Sequence, residues 1–294
     1  MKVSGISFIK NGITLGYPFL EGILSIAPLC DEVIINVGFN NPECTEDDGT
    51  YDYLKSKLTD PKFIFLKSWW DPEVSSQGLI LSQQTNIALE KATGDIIQYI
   101  QGDEAVHEDD YDSIRKGYEQ LHSRDDIQGL VFNYLHLYGN TNVHRHTRSV
   151  YRREVRAIKN NQGLVSWKDA QGFRYPDGSK MKAILIDARI FHYGWARPQD
   201  VMDQKIKSFN KLYHGKDHET ENDFSFRRIW GLKAFHGSHP KVVQPWIAKN
   251  THEIDILNFP KSYILGDWDL MVSDAIERLT GWRMGEFRNY KLVK

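Results

Sequence analysis

Short apolar runs alternate with helical patterns over the first third of the chain. Positions 5–9, Gly5-Ile6-Ser7-Phe8-Ile9, read as a buried strand. Phe19, Leu20, Ile23, Leu24 and Ala27 then recur at helical spacing, with Pro18 suited to the first turn. A second strand is predicted at 33–37, followed by a polar loop over 38–49, a helix through Tyr53, Leu54 and Leu58, and a third strand at 63–66. Ser82 is the expected N-cap of a helix carrying Ile87, Ala88 and Leu89, and Gly94 stands where a left-handed stop belongs. A fourth strand follows at 96–100. Strands and helices in this order predict parallel strands joined by crossover helices, an open α/β sheet.

The pattern changes after residue 108. Apolar runs at 130–134, 155–158 and 183–186 predict strands, but long polar segments separate them in place of regular crossover helices. From Pro198 onward helical spacing returns with dense charge, Lys205, Lys207, Lys211, Lys216, Arg227 and Arg228 being interspersed with acids. No Gly/Ser-rich linker and no fixed-period repeat divides the chain. One continuous α/β domain is expected, in three parts: 1–108, 109–197 and a helical C-terminal extension over 198–294.

Composition narrows the possible functions. A chain of 294 residues with 40% hydrophobic content can bury a sizeable core. Its 37 basic and 39 acidic residues give a formal charge of −2, with no long-range attraction for polyanions, so nucleic acid is not an expected partner. Cys30 and Cys44 form neither a disulfide framework nor a thiolate zinc site, which fits a reducing cytoplasm. Lys10 interrupts the first apolar stretch, so no signal-peptide core is expected. No uncharged run approaches the roughly 18 residues needed to span a bilayer, and any membrane contact is expected to be peripheral, at the inner face. Gly-rich dinucleotide, P-loop and Gly-X-Ser-X-Gly patterns are missing, which removes dehydrogenase, kinase and hydrolase readings. The histidine pairs 144/146, 214/218 and 236/239 lack a His-Glu-X-X-His frame, so zinc is not expected.

Candidate chemistry gathers at the end of the fourth strand. Gln101-Gly102-Asp103-Glu104 places two carboxylates at a strand's carboxyl end, where open α/β sheets bind ligands. Such hard oxygen ligands suit Mg²⁺ or Mn²⁺, and an ion held there would bridge the oxygens of a diphosphate. A solvated turn is the plainer reading of an acidic pair on its own.

Asn86-Ile87-Ala88-Leu89, then Ala92-Thr93-Gly94-Asp95, then the strand and Gln101-Gly102-Asp103-Glu104, resemble in their order the family 2 glycosyltransferases. In that family an Asn-containing helix precedes a Gly-Asp turn and a strand that ends in an Asp-X-Asp-type metal motif. The resemblance also takes in Asn11, Cys30-Asp31-Glu32-Val33-Ile34-Ile35 and Ala188-Arg189-Ile190-Phe191-His192-Tyr193-Gly194, about two thirds of the chain. It implies a GT-A nucleotide-diphospho-sugar transferase fold with a mixed, mostly parallel central sheet flanked by helices. It further implies an inverting, metal-assisted transfer from a nucleotide sugar, a UDP-sugar by base rate, to a hydroxyl of a glycan or glycolipid. Residues 1–108 would form the nucleotide-sugar half and 109–197 the acceptor half.

The same resemblance assigns expected roles. Asp103 matches the metal-binding acid, Glu104 extends the motif as a further ligand, and His192 matches the histidine set against the metal or diphosphate. Gln101 stands where the family has a ribose-contacting acid, so that contact becomes amide-mediated or is supplied by another residue. Asn11 and Asn86 are expected on the base or ribose, with Asp47 or Asp48 framing the nucleotide. Asp-Glu followed by His107-Glu108 looks like a subgroup of these enzymes. Inverting transfer needs a carboxylate base for the acceptor hydroxyl; the usual Glu-Asp pair is absent, and Asp169 is the candidate, while Asp177 in Pro176-Asp177-Gly178 reads as a turn residue. Two other readings stand beside this one. A sugar nucleotidylyltransferase would need a Gly-rich basic loop that positions 7–12 do not supply. A non-catalytic carbohydrate-binding or scaffold protein on the same fold is kept open by Gln101 and the missing Glu-Asp pair.

Overall fold

The computed structural model describes residues 1–74, 78–215, 217–219, 223–252, 254–261 and 264–294. Lys216, counted above in the charged stretch, lies outside the described residues. The elements β1 (Val3–Ile9), α1 (Phe19–Ile26), β2 (Glu32–Phe39), α2 (Thr50–Lys57), β3 (Phe63–Trp69), α3 (Leu79–Lys91) and β4 (Ile96–Tyr99) follow in the predicted alternation. β4, β1, β2 and β3 lie side by side and parallel. β2 is buried at every position, which is why its sequence is mostly apolar, Glu32 and Asn36 being the polar exceptions.

Two helix boundaries differ from expectation. α3 starts at Leu79 with Gly78 as its N-cap at φ 71°, and the Ser82 hydroxyl, already inside the helix, donates to the Leu79 carbonyl. Gly94 is not a left-handed stop, since α3 ends at Lys91 and Gly94 is absent from the positive-φ residues. Close approach requires the glycine instead: a Cβ there would lie 2.7 Å from Ser4 N and 2.8 Å from Lys2 O.

After β4 come β5 (Glu104–Val106), α4 (Tyr111–Ser123), β6 (Gly129–Tyr138), β7 (Asn140–Arg145), β8 (Arg153–Lys159), β9 (Val165–Trp167), β10 (Gly172–Arg174) and β11 (Met181–Trp195). β8 inserts antiparallel between β4 and β6, so the sheet becomes mixed. β11, 15 residues long, runs parallel to β6 and antiparallel to β5 and carries His192 within the strand rather than after it. β9 and β10 form a separate hairpin. The chain continues through α5 (Gln199–His214), β12 (Leu232–Ala234), α6 (Gln244–Lys249), α7 (Leu265–Thr280) and β13 (Tyr290–Leu292). β12 extends the sheet beside β7, and β13 returns to pair with β11, so the C-terminal stretch adds strands as well as helices.

The result is the expected α/β architecture, a large central sheet with helices packed on it. Ile23 and Ile26 of α1, Leu54 of α2, and Ile114 and Leu121 of α4 share one core with Val33, Ile35, Ile96 and Leu130 of the sheet. Among the described residues, no helix is long and apolar enough to cross a membrane.

Candidate active site

A cavity of about 990 Å³ opens where the four parallel strands end. Its wall includes Asn11 after β1, Asn40 after β2, Trp70 after β3, and Gln101, Gly102 and Asp103 after β4. Strand carboxyl ends converge there because every crossover helix must leave from that edge. His192 of β11, Asp169 of the β9–β10 turn and Lys205 of α5 line the same cavity.

Asp103 is the centre of a charged cluster. Its side chain is 14% exposed, and its Oδ2 lies 3.3 Å from Lys205 Nζ and 3.5 Å from His192 Nε2. Burial alone would raise its pKa, but His192, Lys205 and Arg197 outweigh that and hold the carboxyl well below the usual range. Burial pushes the Lys205 ammonium down to about 8, with Arg197 adding to the shift and Asp103 opposing it. Lys205 also donates to the Gly194 carbonyl at 2.9 Å. Arg197 is fully buried, donates to the Leu15 and Gly194 carbonyls, and lies over the Tyr17 ring at 4.4 Å. One carboxylate thus faces two buried cations, and the excess positive charge favours an anionic ligand in the cavity.

The same cluster fits a divalent cation. Asp103 and His192 offer an oxygen and a nitrogen at the cavity wall, a donor pair compatible with Mn²⁺ or Mg²⁺ when ligand oxygens complete the shell. Gly194 keeps the space between them open. A Cβ on Gly194 would lie 2.5 Å from Asp103 Oδ2 and 2.7 to 2.8 Å from the His192 ring.

Glu104, expected as a further ligand, is turned away from this cluster. It is fully buried, receives Arg156 Nη2 at 2.7 Å and Nε at 2.9 Å, and accepts from Tyr134 at 2.7 Å and from the Gln101 backbone at 3.1 Å. With both oxygens engaged and no part in the cavity wall, its carboxylate is a packing element of the sheet. Strand alternation causes this: Asp103 lies in the turn and Glu104 opens β5.

Gln101 lines the cavity and ties two of its walls together, its amide nitrogen donating to Tyr99 Oη at 3.0 Å and to the Ala170 carbonyl at 3.1 Å. The second bond anchors the turn that carries Asp169. Both neighbours of Asp169, Lys168 (φ 50°) and Ala170 (φ 58°), are left-handed, a tight turn that holds the acid at the cavity wall. Tyr213 of α5 donates to Asp169 Oδ2 at 3.2 Å.

The other expected contacts divide. Asn11, at φ 52°, lines the cavity. Asn86 is not part of the cavity wall, and its Oδ1 accepts the Ser166 N–H at 2.8 Å, fastening β9 to α3. Asp47 and Asp48 accept the N–H groups of Tyr51 and Thr50 and so cap α2, with Asp48 also holding Thr14 N–H at 2.8 Å. Asp177 accepts the Ser179 N–H in its turn. His107, Glu108 and Asp109 cluster closely, but the His107 ring caps its own turn through the Asp109 N–H and meets Ser238 at 3.0 Å.

Lys205, Arg197, Gly194 and Tyr213 complete the site without having been singled out for it by the sequence. Arg197 carried a usable signal, a guanidinium three residues past the Tyr193-Gly194 pair that follows the matched histidine.

No family model matches the sequence, and no curated protein matches it. Among solved structures, the chain is similar to S. aureus TarS 1–349, at 13% identity over 74% of this chain and 67% of that one, with a TM-score of 0.38. For TarS 1–349 in complex with UDP-GlcNAc the values are 20%, 48%, 36% and 0.32. For glucosyl-3-phosphoglycerate synthase from Mycobacterium tuberculosis in complex with Mn²⁺, UDP and phosphoglyceric acid they are 17%, 45%, 43% and 0.31. The chain thus spans less than two thirds of the length of the latter two structures.

Proposed function

We propose that this chain is a metal-assisted, inverting glycosyltransferase of the GT-A type, resembling family 2, that moves a sugar from a nucleoside diphosphate sugar to a hydroxyl of a glycan or glycolipid. The observation that carries this reading is Asp103 at the strand tip, set among His192, Lys205 and Arg197 on the wall of a cavity roomy enough for a nucleotide sugar. Asp103 Oδ2 and His192 Nε2 would hold the cation, and Gly194 leaves the space for it. When bound, the cation supplies charge neutralisation for a departing diphosphate.

The chain's own groups then have defined tasks. Lys205 and Arg197 bias the field of the site toward the diphosphate before any sugar is transferred. Asp169 takes the proton of the acceptor hydroxyl as its oxygen bonds to the anomeric carbon, while the bond from that carbon to the diphosphate breaks and the electron pair leaves with the diphosphate. Tyr213, donating to Asp169, orients the base.

Nucleoside diphosphate binding with and without Mn²⁺, followed by transfer from a panel of nucleotide sugars, tests the reading. Metal-dependent binding is expected, and Asp169→Asn is expected to keep it while transfer falls by about 10²- to 10⁴-fold. A chain that binds no nucleoside diphosphate under either condition is not this enzyme. Normal transfer by Asp169→Asn moves the base elsewhere.

A further inference from the structure

His136 has no part in the chemistry above, yet it is built into the back of the cation site. β6 and β11 run parallel with His136 and His192 as register partners, which places the two imidazoles side by side on one face. Both are buried, at 3% and 9% exposure, with ring centroids 5.0 Å apart at 65°. Their Nδ1 atoms are 3.3 Å apart. The Tyr134 ring stacks on His136 at 5.2 Å and the Tyr151 ring meets it edge-on at 4.7 Å, so the imidazole is clamped.

Hydrogen-bond accounting fixes where the protons lie. His136 Nε2 is 2.7 Å from the Tyr151 carbonyl oxygen, and a carbonyl can only accept, so Nε2 carries a hydrogen. Among the described residues, no carboxylate bonds to His136. The short Nδ1–Nδ1 contact holds one hydrogen, and with Nε2 already the hydrogen-bearing atom of His136, its Nδ1 is the acceptor and His192 Nδ1 the donor. A histidine that ligates a cation through Nε2 carries its hydrogen on Nδ1, and His192 Nε2 is the atom 3.5 Å from Asp103 Oδ2.

Resting on the functional reading above, we infer that His136 is a positioning residue for the cation site. By accepting the His192 Nδ1 proton it keeps His192 Nε2 bare toward Asp103, and so favours a borderline ion, Mn²⁺, over the harder Mg²⁺ and Ca²⁺. The selectivity follows from the ligand: an imidazole nitrogen contributes more to Mn²⁺ than to ions that prefer oxygen alone. A partner that orients a ligating histidine through its other ring nitrogen commonly changes metal affinity by about 10- to 100-fold when removed.

The test is Mn²⁺ binding by the full chain with UDP as probe, read from the paramagnetic resonance of free Mn²⁺, with Mg²⁺ and Ca²⁺ as competitors. His136→Phe fills the space but accepts no hydrogen bond; it is expected to weaken Mn²⁺ binding about tenfold or more and to narrow the preference over Mg²⁺. His136→Gln, whose amide oxygen can accept from His192, should restore the affinity to within about threefold. Nitrogen-15 spectra of the metal-free wild type should show His192 protonated at Nδ1. Unchanged Mn²⁺ affinity in a folded His136→Phe protein, or a wild-type His192 protonated at Nε2 alone, overturns the role of His136 while leaving the glycosyltransferase reading intact. A wild type that binds no Mn²⁺ with UDP overturns the cation site itself and this inference with it.

Discussion

Asp103 and Glu104 are adjacent in sequence and belong to different regions of the molecule. On the cavity side, Asp103 has His192 and Lys205 at 3.3 to 3.5 Å and an open wall in front of it. On the packed side, Glu104 has Arg156 and Tyr134 at 2.7 to 2.9 Å on its two oxygens and no exposure at all. Charge and burial alone do not separate a site from a structural ion pair. Completion does: the second carboxylate has its hydrogen-bonding capacity filled from within, and the first is left with charge around it and room before it.

The largest effect is expected from Asp103→Asn, which should lower transfer by about 10³-fold or more by removing a charged ligand where charge develops. Because Lys205 and Arg197 lose their counter-charge, the variant should also unfold at a lower temperature than the wild type, measured by circular dichroism. Replacing Lys205 by Met in the same variant should recover stability without recovering transfer. Undiminished transfer by Asp103→Asn would erase the distinction between the two carboxylates.

Glu104→Gln probes the opposite side. It leaves Arg156 buried without its counter-ion and should cost about 3–5 kcal/mol in urea unfolding, as breaking one half of a buried pair does. The folded fraction should bind nucleoside diphosphate and Mn²⁺ with wild-type affinity. A stable Glu104→Gln protein that has lost Mn²⁺ would make Glu104 a ligand after all.

The difference between these neighbours was not legible in the sequence. The apolar run of β4 and its abrupt end located the strand tip, because buried parallel strands leave so plain a pattern. Which of two consecutive acids faces the cavity depends on where the turn stops and β5 begins, and a three-residue strand has too few positions to set its own phase. Asn86 misled for a related reason: the helix was legible, but its partner Ser166 lies 80 residues away. Lys205 was hidden among charges of the same kind. In α5, Lys207 pairs with Asp203 and Asp223 at the surface, whereas Lys205 is buried against Asp103, and only tertiary packing distinguishes them. Arg156 was read as part of an apolar strand, since its partner Glu104 is 52 residues away.

A third carboxylate sharpens the comparison through pH. Glu154 in β8 is fully buried and accepts from Val155 N–H at 2.9 Å, Asn289 at 3.0 Å and Gln171 at 3.2 Å, but has no ion pair among the described residues. Burial, only partly offset by these donors and Arg156, pushes its carboxyl up from 4.5 to about 7. Between these values the native state holds a proton that the unfolded chain has released, so its contribution is full below 4.5 and lost as pH rises through about 7. At about 1.4 kcal/mol per pKa unit, the wild type should lose at most about 3.5 kcal/mol relative to Glu154→Gln across that window, read from urea unfolding at stepped pH. A flat difference would mean that burial without a cation does not set this group apart.

The smallest expected effect comes from the most local change. Gly194 does not have a positive φ, so an alanine suits the backbone there, and its carbonyl can still accept from Lys205 and Arg197. The added methyl, however, meets Asp103 Oδ2 at 2.5 Å and the His192 ring at 2.7 Å, inside the space assigned to the cation. Gly194→Ala should therefore weaken Mn²⁺ binding by roughly tenfold, about 1.4 kcal/mol, and by more than it weakens nucleotide binding without metal. A loss confined to the metal arm separates the cation from the fixed charges around it. Equal losses with and without Mn²⁺ would instead mean that the methyl disturbs the diphosphate pocket as a whole, and an unaltered protein would move the ion away from Asp103 and His192.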